Sequence, residues 1–117
     1  MKVLVYRKCS TCMKALKWLD EHNINYEERA IKEENPTYEE LKEWYTKSGL
    51  PLKKFFNTGG MIYKEMGLKD KLKDMSEDEQ LKLLATDGML VKRPLVIGDD
   101  FVLTGFREKE WSEAMHM

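Results

Sequence analysis

The two cysteines of the chain lie three residues apart, in the segment Cys9-Ser10-Thr11-Cys12. A thiol is a good nucleophile only after it loses its proton, and a free thiol is mostly protonated at neutral pH. A second thiol three residues further along a helix can reach the first and form a short intramolecular disulfide. The spacing therefore indicates thiol–disulfide chemistry, with Cys9 as the nucleophile and Cys12 as the resolving thiol.

The flanking sequence predicts that Cys9 lies where a strand turns into a helix. The β-branched run Lys2–Tyr6 predicts the strand. The apolar residues that recur at the spacing of one helix face are Cys12, Ala15, Leu16 and Leu19. At a helix N-terminus, unpaired N–H groups and the helix dipole stabilise a thiolate, and Arg7 and Lys8 are expected to add positive charge. We therefore predict a lowered pKa for Cys9 and a more shielded, less ionised Cys12.

Two other interpretations of the cysteine pair are open. A structural zinc site needs four ligands, and only His22 and His116, both far from the pair in sequence, are present as further histidines. The second alternative is a pair of inert, buried cysteines, because a lone pair at this spacing is a moderate signal. The predicted strand, turn and helix around the pair favour redox chemistry, and we predict no metal site.

The rest of the sequence predicts a helical middle third between two sheet-forming ends. An alternating segment at Tyr26–Ile31 predicts a second strand, which forms a parallel βαβ unit with the first. Near the end of the sequence, Leu95–Ile97 and Phe101–Leu103 predict a hairpin around Gly98-Asp99-Asp100. Helices are predicted from Thr37 to Lys47, from Met61 to Met66, from Ser76 to the residue before Gly88, and from Arg107 to His116. Capping boxes are expected at the starts of the first and third, with Glu40 and Glu79, and Gly67 is expected to end the second.

This order of elements predicts an α/β protein with a thioredoxin-like fold, βαβ followed by ββα, with a helical insertion at about residues 33–88 between the halves. A length of 117 residues suits one domain, so we predict a single thioredoxin-like domain over residues 1–117. The 20 basic and 21 acidic side chains leave a net charge of −1, which argues against direct binding to nucleic acid or a membrane. No apolar stretch is long enough for a signal peptide or a membrane span, so we expect a cytoplasmic protein.

Three further motifs accompany the cysteine pair: Phe56-Asn57-Thr58-Gly59-Gly60, Lys92-Arg93-Pro94 and Thr104-Gly105-Phe106-Arg107. With them, nearly the whole chain resembles the arsenate reductase family of thioredoxin-fold proteins, which also includes the Spx-type regulators of Gram-positive bacteria. The resemblance implies that Cys9 is the nucleophile, that Pro94 is a cis-proline facing it, and that Arg93 is the arginine beside the site. It predicts an enzyme, a thiol oxidoreductase with Cys9, Cys12 and Arg93 as catalytic residues.

Substrate binding is expected from the residues Lys8, Ser10, Thr11, Pro94 and Arg107. A cis peptide bond before Pro94 keeps a backbone edge open to a bound chain, and the planar fork of the Arg93 guanidinium suits an oxyanion or a thiolate. Three of the residues at the expected site, Arg93, Pro94 and Arg107, also have simpler interpretations. Arg93 and Arg107 can be exposed surface charges, and Pro94 can be a trans proline at the start of a strand.

Two departures from the family pattern bear on the substrate. Where related members carry Asn-Thr-Arg, this chain has Asn57-Thr58-Gly59, so it lacks one cation that holds arsenate. Glutaredoxin-dependent arsenate reductases use one essential cysteine, whereas this chain has Cys12 as an internal resolving thiol. The chain is thus closer to the uncharacterised arsenate-reductase-like members than to authentic arsenate reductases. We expect a small oxyanion or a protein or low-molecular-weight disulfide as substrate, and external thioredoxin, glutaredoxin or glutathione as reductant, without a bound cofactor.

The resemblance also implies an alternative function, that of a Spx-type regulator that binds an RNA polymerase subunit and senses oxidants through its cysteine pair. Such a protein needs a surface for its partner, and we single out the helix Thr37–Lys47 with the following Gly49. The simpler interpretation of that helix is a packed element with a solvated Lys/Glu face.

Overall fold

The strands expected near the two ends of the chain form one four-stranded sheet in the computed structural model, which describes residues 1–116. The strands are β1 (Lys2–Val5), β2 (Glu27–Ala30), β3 (Leu95–Ile97) and β4 (Val102–Thr104). Their order is β2-β1-β3-β4, with β1 parallel to β2 and the other two pairs antiparallel. β4 begins one residue later than predicted, because the C=O of Phe101 accepts the N–H of Gly98 at 2.9 Å and closes the turn.

The described part of the chain forms six α-helices: α1 (Ser10–Glu21), α2 (Tyr38–Ser48), α3 (Met61–Glu65), α4 (Leu68–Lys71), α5 (Glu77–Leu84) and α6 (Glu108–Ala114). α2 and α5 begin with the predicted capping boxes, in which Thr37 and Ser76 accept the backbone N–H groups of Glu40 and Glu79. Gly67, at a φ of 63°, ends the α3 segment as predicted, but the chain restarts at once as α4, which the sequence pattern does not predict. Among the described residues, no helix has the length and apolar character needed to span a bilayer.

The order β1-α1-β2, then α2 to α5, then β3-β4-α6 is that of a thioredoxin-like fold. Side-chain alternation along the central strands divides its core into two layers. Val3 and Val5 of β1 and Val96 of β3 pack against α1 and α6, whereas Leu4 and Leu95 pack against the helices between β2 and β3. Those helices therefore cover one face of the sheet, and α1 and α6 cover the other.

Close contacts also fasten the inserted helices to β2. Arg29 of β2 donates hydrogen bonds of 2.7 and 2.9 Å to the carboxylate of Glu40 in α2. Further along, Gly88 lies so near Ile31 that a Cβ atom on Gly88 would sit 1.9 Å from the Ile31 carbonyl oxygen. Only glycine fits at that point, so the exit from the inserted helices is held against the end of β2.

Candidate active site

Cys9 lies in the turn between β1 and α1, one residue before the helix begins. Its N–H donates to the C=O of Tyr6 at 2.9 Å, and its own C=O accepts the N–H of Met13 at 3.1 Å as the first hydrogen bond of the helix. The thiol of Cys9 is partly exposed, whereas Cys12 has no exposed surface, and both thiols are free. The strand, turn and helix expected around the cysteine pair are therefore present.

The surroundings of Cys9 favour its thiolate form. Partial burial by itself raises the pKa of Cys9, but three hydrogen bonds and one charge outweigh it. The hydrogen bonds come from the N–H of Cys12, the thiol of Cys12 and the N–H of Thr11, and the charge is that of Arg93. The resulting pKa of Cys9 lies below its ordinary value of 9.0, in the direction predicted from its place at a helix N-terminus.

Cys12 is in the opposite situation. Burial is the main cause that raises the pKa of its thiol to about 12, and the neighbouring Cys9 adds to the effect. The N–H of Tyr6 lies 3.5 Å from the Cys12 sulfur and offsets only part of the shift. The two thiols are thus unequal, since Cys9 ionises first and Cys12 keeps its proton.

Arg93 and Pro94 follow the inserted helices and join them to β3. The peptide bond between them is cis, as the resemblance implies, and Pro94 is buried with its C=O accepting the N–H of Gly105 at 2.9 Å. The guanidinium carbon of Arg93 lies 5.2 Å from the centre of the Tyr6 ring. Its Nε and Nη1 atoms are buried without a hydrogen-bond partner among the described residues. Buried donors are normally paired, so these two N–H groups are an exception, and the charge of Arg93 acts on Cys9 through space.

The positive charge expected at Arg7 is directed elsewhere. The Arg7 guanidinium pairs with both carboxylate oxygens of Glu28 on the neighbouring strand, with one N–O distance of 2.7 Å. Lys8 and Ser10 are exposed and do not line the cleft described next, whereas Thr11 does. Of the cations near the cysteine pair, Arg93 is therefore the one that we assign to stabilisation of the thiolate.

A cleft of about 1110 Å³ opens beside Cys9. Its lining includes Thr11, Arg93 and Arg107, which the sequence singles out. It also includes three lysines that sequence reasoning missed, namely Lys53, Lys54 and Lys92. The only sequence signal for them was a pair of lysines inside the short apolar segment Leu52–Phe56, and Lys92 was noted only as part of a motif. The packing of the inserted helices brings Lys53 and Lys54 to this cleft, and Lys92 lines it from the segment that precedes β3.

Arg107 lies at the outer margin of the cleft. It is the residue before α6, its side chain is 75% exposed, and its nearest carboxylate oxygen is that of Glu110 at 3.9 Å. Its placement allows a contact with a large ligand but leaves it well hydrated. In residues 1–116, no three His, Cys, Asp or Glu side chains are grouped so that they could hold a metal ion.

Two curated proteins and two solved structures illustrate what the chain is similar to. It is 58% identical over 108 residues to the uncharacterized protein YusI of Bacillus subtilis, an alignment that covers 92% of each chain. It is 29% identical over 105 residues to the regulatory protein MgsR of the same organism, covering 90% of this chain and 82% of MgsR.

The solved structures support the same relationship. A putative ArsC family related protein from Bacteroides fragilis superposes with a TM-score of 0.93 at 58% identity, covering 96% of this chain and 94% of that one. A possible arsenate reductase from Streptococcus mutans superposes with a TM-score of 0.86 at 42% identity, covering 95% and 96% of the two chains. The model of the ArsC family matches residues 4–114, which include the cysteine pair, the inserted helices and the Arg93-Pro94 segment. From its sequence and its fold alike, the chain belongs to the ArsC family.

Proposed function

We propose that this protein is a thiol oxidoreductase in which Cys9 is the nucleophile and Cys12 resolves the mixed disulfide. The observation that carries this proposal is the position of Cys9 at the start of α1, where its thiol is partly exposed to a cleft and has a pKa below the ordinary value. The buried Cys12 thiol, with a pKa of about 12, supplies the asymmetry that separates an attacking thiol from a resolving one.

The proposed reaction reduces a disulfide in two exchanges. The Cys9 thiolate attacks one sulfur of the substrate disulfide, a bond forms between that sulfur and Cys9 Sγ, and the other substrate sulfur leaves as a thiolate that takes a proton from solvent. Cys12 then attacks Cys9 Sγ, its proton passes to the departing substrate sulfur, and a Cys9–Cys12 disulfide forms. The substrate gains two electrons and two protons. An external dithiol such as thioredoxin or glutaredoxin, or two molecules of glutathione, returns the pair to its reduced form.

Arg93 is the proposed electrostatic partner of this chemistry. Its two unpaired buried nitrogens can donate to the thiolate of Cys9, to a leaving thiolate or to an oxyanion held beside the sulfur. Pro94 is buried and does not line the cleft, so we propose that it acts on the substrate through the neighbouring backbone of Arg93, which does line it. Thr11 and Arg107 are proposed contacts from the walls of the cleft. Lys8 and Ser10 remain proposed contacts for the part of a substrate that projects beyond the cleft.

Arsenate reduction is a narrower version of the same proposal. The likeness to a possible arsenate reductase from Streptococcus mutans supports it. The glycine at position 59 argues against it, because Asn57 and Thr58 line the cleft without the neighbouring arginine whose planar fork can hold two oxygens of an oxyanion, and the lysines of the cleft have no such fork. We therefore expect disulfides to be reduced faster than arsenate.

The proposal is tested by thiolate absorbance as a function of pH, together with disulfide turnover in the presence of a thioredoxin or glutaredoxin system. The wild type should show one thiolate forming below pH 9.0, and Cys9→Ser should lose both this step and turnover. Cys12→Ser should still attack the disulfide but should accumulate the mixed disulfide. Turnover by Cys9→Ser, or a wild type in which no thiolate forms below the ordinary thiol value, contradicts the proposal.

A second candidate function is a redox-sensing regulator, which the 29% identity to the regulatory protein MgsR favours. In this version the same cysteine pair responds to oxidants, and an RNA polymerase subunit binds the surface of α2. Leu41 and Trp44 bury one face of α2, and Glu40 is engaged by Arg29, so only residues such as Lys42 and Glu43 are left for a partner. Capture of purified polymerase subunits by the oxidised protein, combined with no disulfide turnover, would favour the regulator over the enzyme.

A further inference from the structure

The cleft beside Cys9 is much more positive than the protein as a whole. Five cationic side chains line it, against the carboxylates of Glu110 and Glu113, whereas the entire chain has a net charge of −1. The cations are Lys53, Lys54, Lys92, Arg93 and Arg107. Lysines and arginines gathered around one opening concentrate anionic ligands there and speed their association. The substrate of Cys9 should therefore carry negative charge next to its reactive sulfur.

The cleft is larger than a small anion needs, so its volume favours a larger ligand. An oxyanion with four oxygens occupies roughly 120 Å³ if each oxygen is given the ~30 Å³ share of a water molecule. The cleft has a volume of about 1110 Å³, about nine times as much. Its walls are also partly apolar, with Leu50, Phe56, Leu103 and Phe106 among the residues that line it. A cleft of this size and mixed character suits a ligand that has both apolar and acidic groups.

The backbone of β4 points to an extended chain as that ligand. All three residues of β4 line the cleft, and β4 is an edge of the sheet, with no strand beyond it among residues 1–116. The N–H of Gly98 donates to the C=O of Phe101, and the N–H of Gly105 donates to the C=O of Pro94. In an antiparallel pair every second residue bonds to the partner strand, so the backbone groups of Leu103 point toward β3. The N–H and C=O groups of Val102 and Thr104 then face away from β3, where an extended chain can pair with them.

We propose that Cys9 acts on disulfides of acidic polypeptide segments, which lie in extended form along β4 with their carboxylates at Lys53, Lys54 and Lys92. This inference rests on the proposed thiol chemistry and names its substrate class. Cys9 Sγ forms a bond with one sulfur of the partner's disulfide while the partner's other sulfur leaves as a thiolate. Cys12 then forms a bond with Cys9 Sγ and releases the partner as a dithiol, and an external dithiol reduces the Cys9–Cys12 pair again.

The test uses synthetic peptides that carry one cysteine in a mixed disulfide with thionitrobenzoate, whose release is followed by absorbance. The cysteine is flanked by glutamates, by serines or by lysines. With the full-length protein at low salt, the glutamate peptide should react about tenfold faster than the lysine peptide, and the difference should shrink as salt is raised. An N-methylated backbone in the glutamate peptide should slow the reaction, because it removes the N–H groups that pair with β4.

The matched variants change the same number of charges inside and outside the cleft. Lys53→Gln with Lys54→Gln should lower the rate with the glutamate peptide about fivefold and leave the lysine peptide unchanged or faster. Lys64→Gln with Lys71→Gln removes two exposed lysines of the same inserted helices that do not line the cleft, and it should leave both rates unchanged.

The outcomes separate this inference from the function on which it rests. Equal rates for the three peptides, an equal loss in both double variants, or no effect of N-methylation would overturn the acidic-chain inference while Cys9 chemistry stands. The double variant Lys53→Gln with Lys54→Gln is also tested with the small dianion dithiobis(nitrobenzoate). If its reaction rate falls as much as that of the glutamate peptide, the acidic-chain inference is overturned in favour of a site for small anions. Absence of reaction with every disulfide would overturn the proposed function and the inference together.

Discussion

At pH 7, iodoacetamide should modify Cys9 of the reduced protein at least about thirtyfold faster than Cys12. The pKa of Cys9 lies below 9.0, so more than about 1% of it is thiolate at that pH. The pKa of Cys12 is about 12, so only about 0.001% of it is ionised. The thiolate fractions thus favour Cys9 by about a thousandfold or more, because each pKa unit is a factor of ten.

Intrinsic reactivity works in the other direction. A thiolate whose thiol has a higher pKa is the stronger nucleophile. With a Brønsted coefficient of about 0.4–0.5, the difference of three pKa units makes the Cys12 thiolate about 16 to 32 times more reactive than the Cys9 thiolate. A ratio of at least about 30 in favour of Cys9 remains. The absence of exposed surface on Cys12 adds a steric barrier that widens the ratio further.

The assay is a time course of alkylation read by peptide mass spectrometry of the first adduct. The Cys9 rate should rise with pH along a titration curve whose midpoint lies below pH 9.0, and Arg93→Gln should move that midpoint to higher pH because it removes a charge that stabilises the thiolate. Arg107→Gln is the matched control, since its guanidinium is exposed and close to Glu110. A first adduct shared equally by the two cysteines, or a midpoint of the Cys9 curve at or above pH 9.0, would refute the unequal ionisation of the pair.

Two further predictions concern stability. Hydrogen bonds from Arg29 are the main cause that lowers the pKa of Glu40 from 4.5 to about 2. This shift corresponds to at most about 3.4 kcal/mol of stability. Because the carboxylate is partly hydrated, Glu40→Gln should destabilise the fold by only about 1–2 kcal/mol. In urea unfolding, the difference in free energy of unfolding between the wild type and Glu40→Gln should reach its full size above about pH 4.5 and should disappear as the pH falls through about 2. A difference that already vanishes near pH 4 would contradict the shifted pKa. Gly88→Ala should cost about 2–3 kcal/mol or more in thermal unfolding, because its Cβ would meet the Ile31 carbonyl oxygen at 1.9 Å. Gly59→Ala, whose Cβ meets nothing within 4 Å, is the control, and equal melting temperatures for the two variants would refute the contact.

Features that depend on neighbours in sequence were predictable. Both capping boxes form where a Thr or Ser precedes a Glu by three residues, because the groups that exchange hydrogen bonds are within one helical turn. Cys9 lies at the start of α1 for a similar reason, since the strand, the polar turn and the apolar helix face all lie within the first 21 residues. The cis bond before Pro94 was expected from the family resemblance rather than from local propensity.

Features that depend on strand register and on packing between distant segments were not predictable from the sequence. Arg7 was expected to serve Cys9, but the parallel register of β1 and β2 brings Glu28 beside it and the two charges pair. Lys53 and Lys54 are more than forty residues from Cys9 in sequence and reach its cleft only because the inserted helices cover one face of the sheet.

The amino-acid sequence alone determined the order of the strands and of every helix except α4, the pair of thiols and the place of Cys9 at a helix N-terminus, because these follow from periodicity and spacing over a few turns of chain. Tertiary structure decided which cations surround the sulfur, how deeply Cys12 is buried and that β4 is left as an open edge beside the cleft. Charge and burial act through space between residues far apart in the chain, and a linear pattern does not contain those distances.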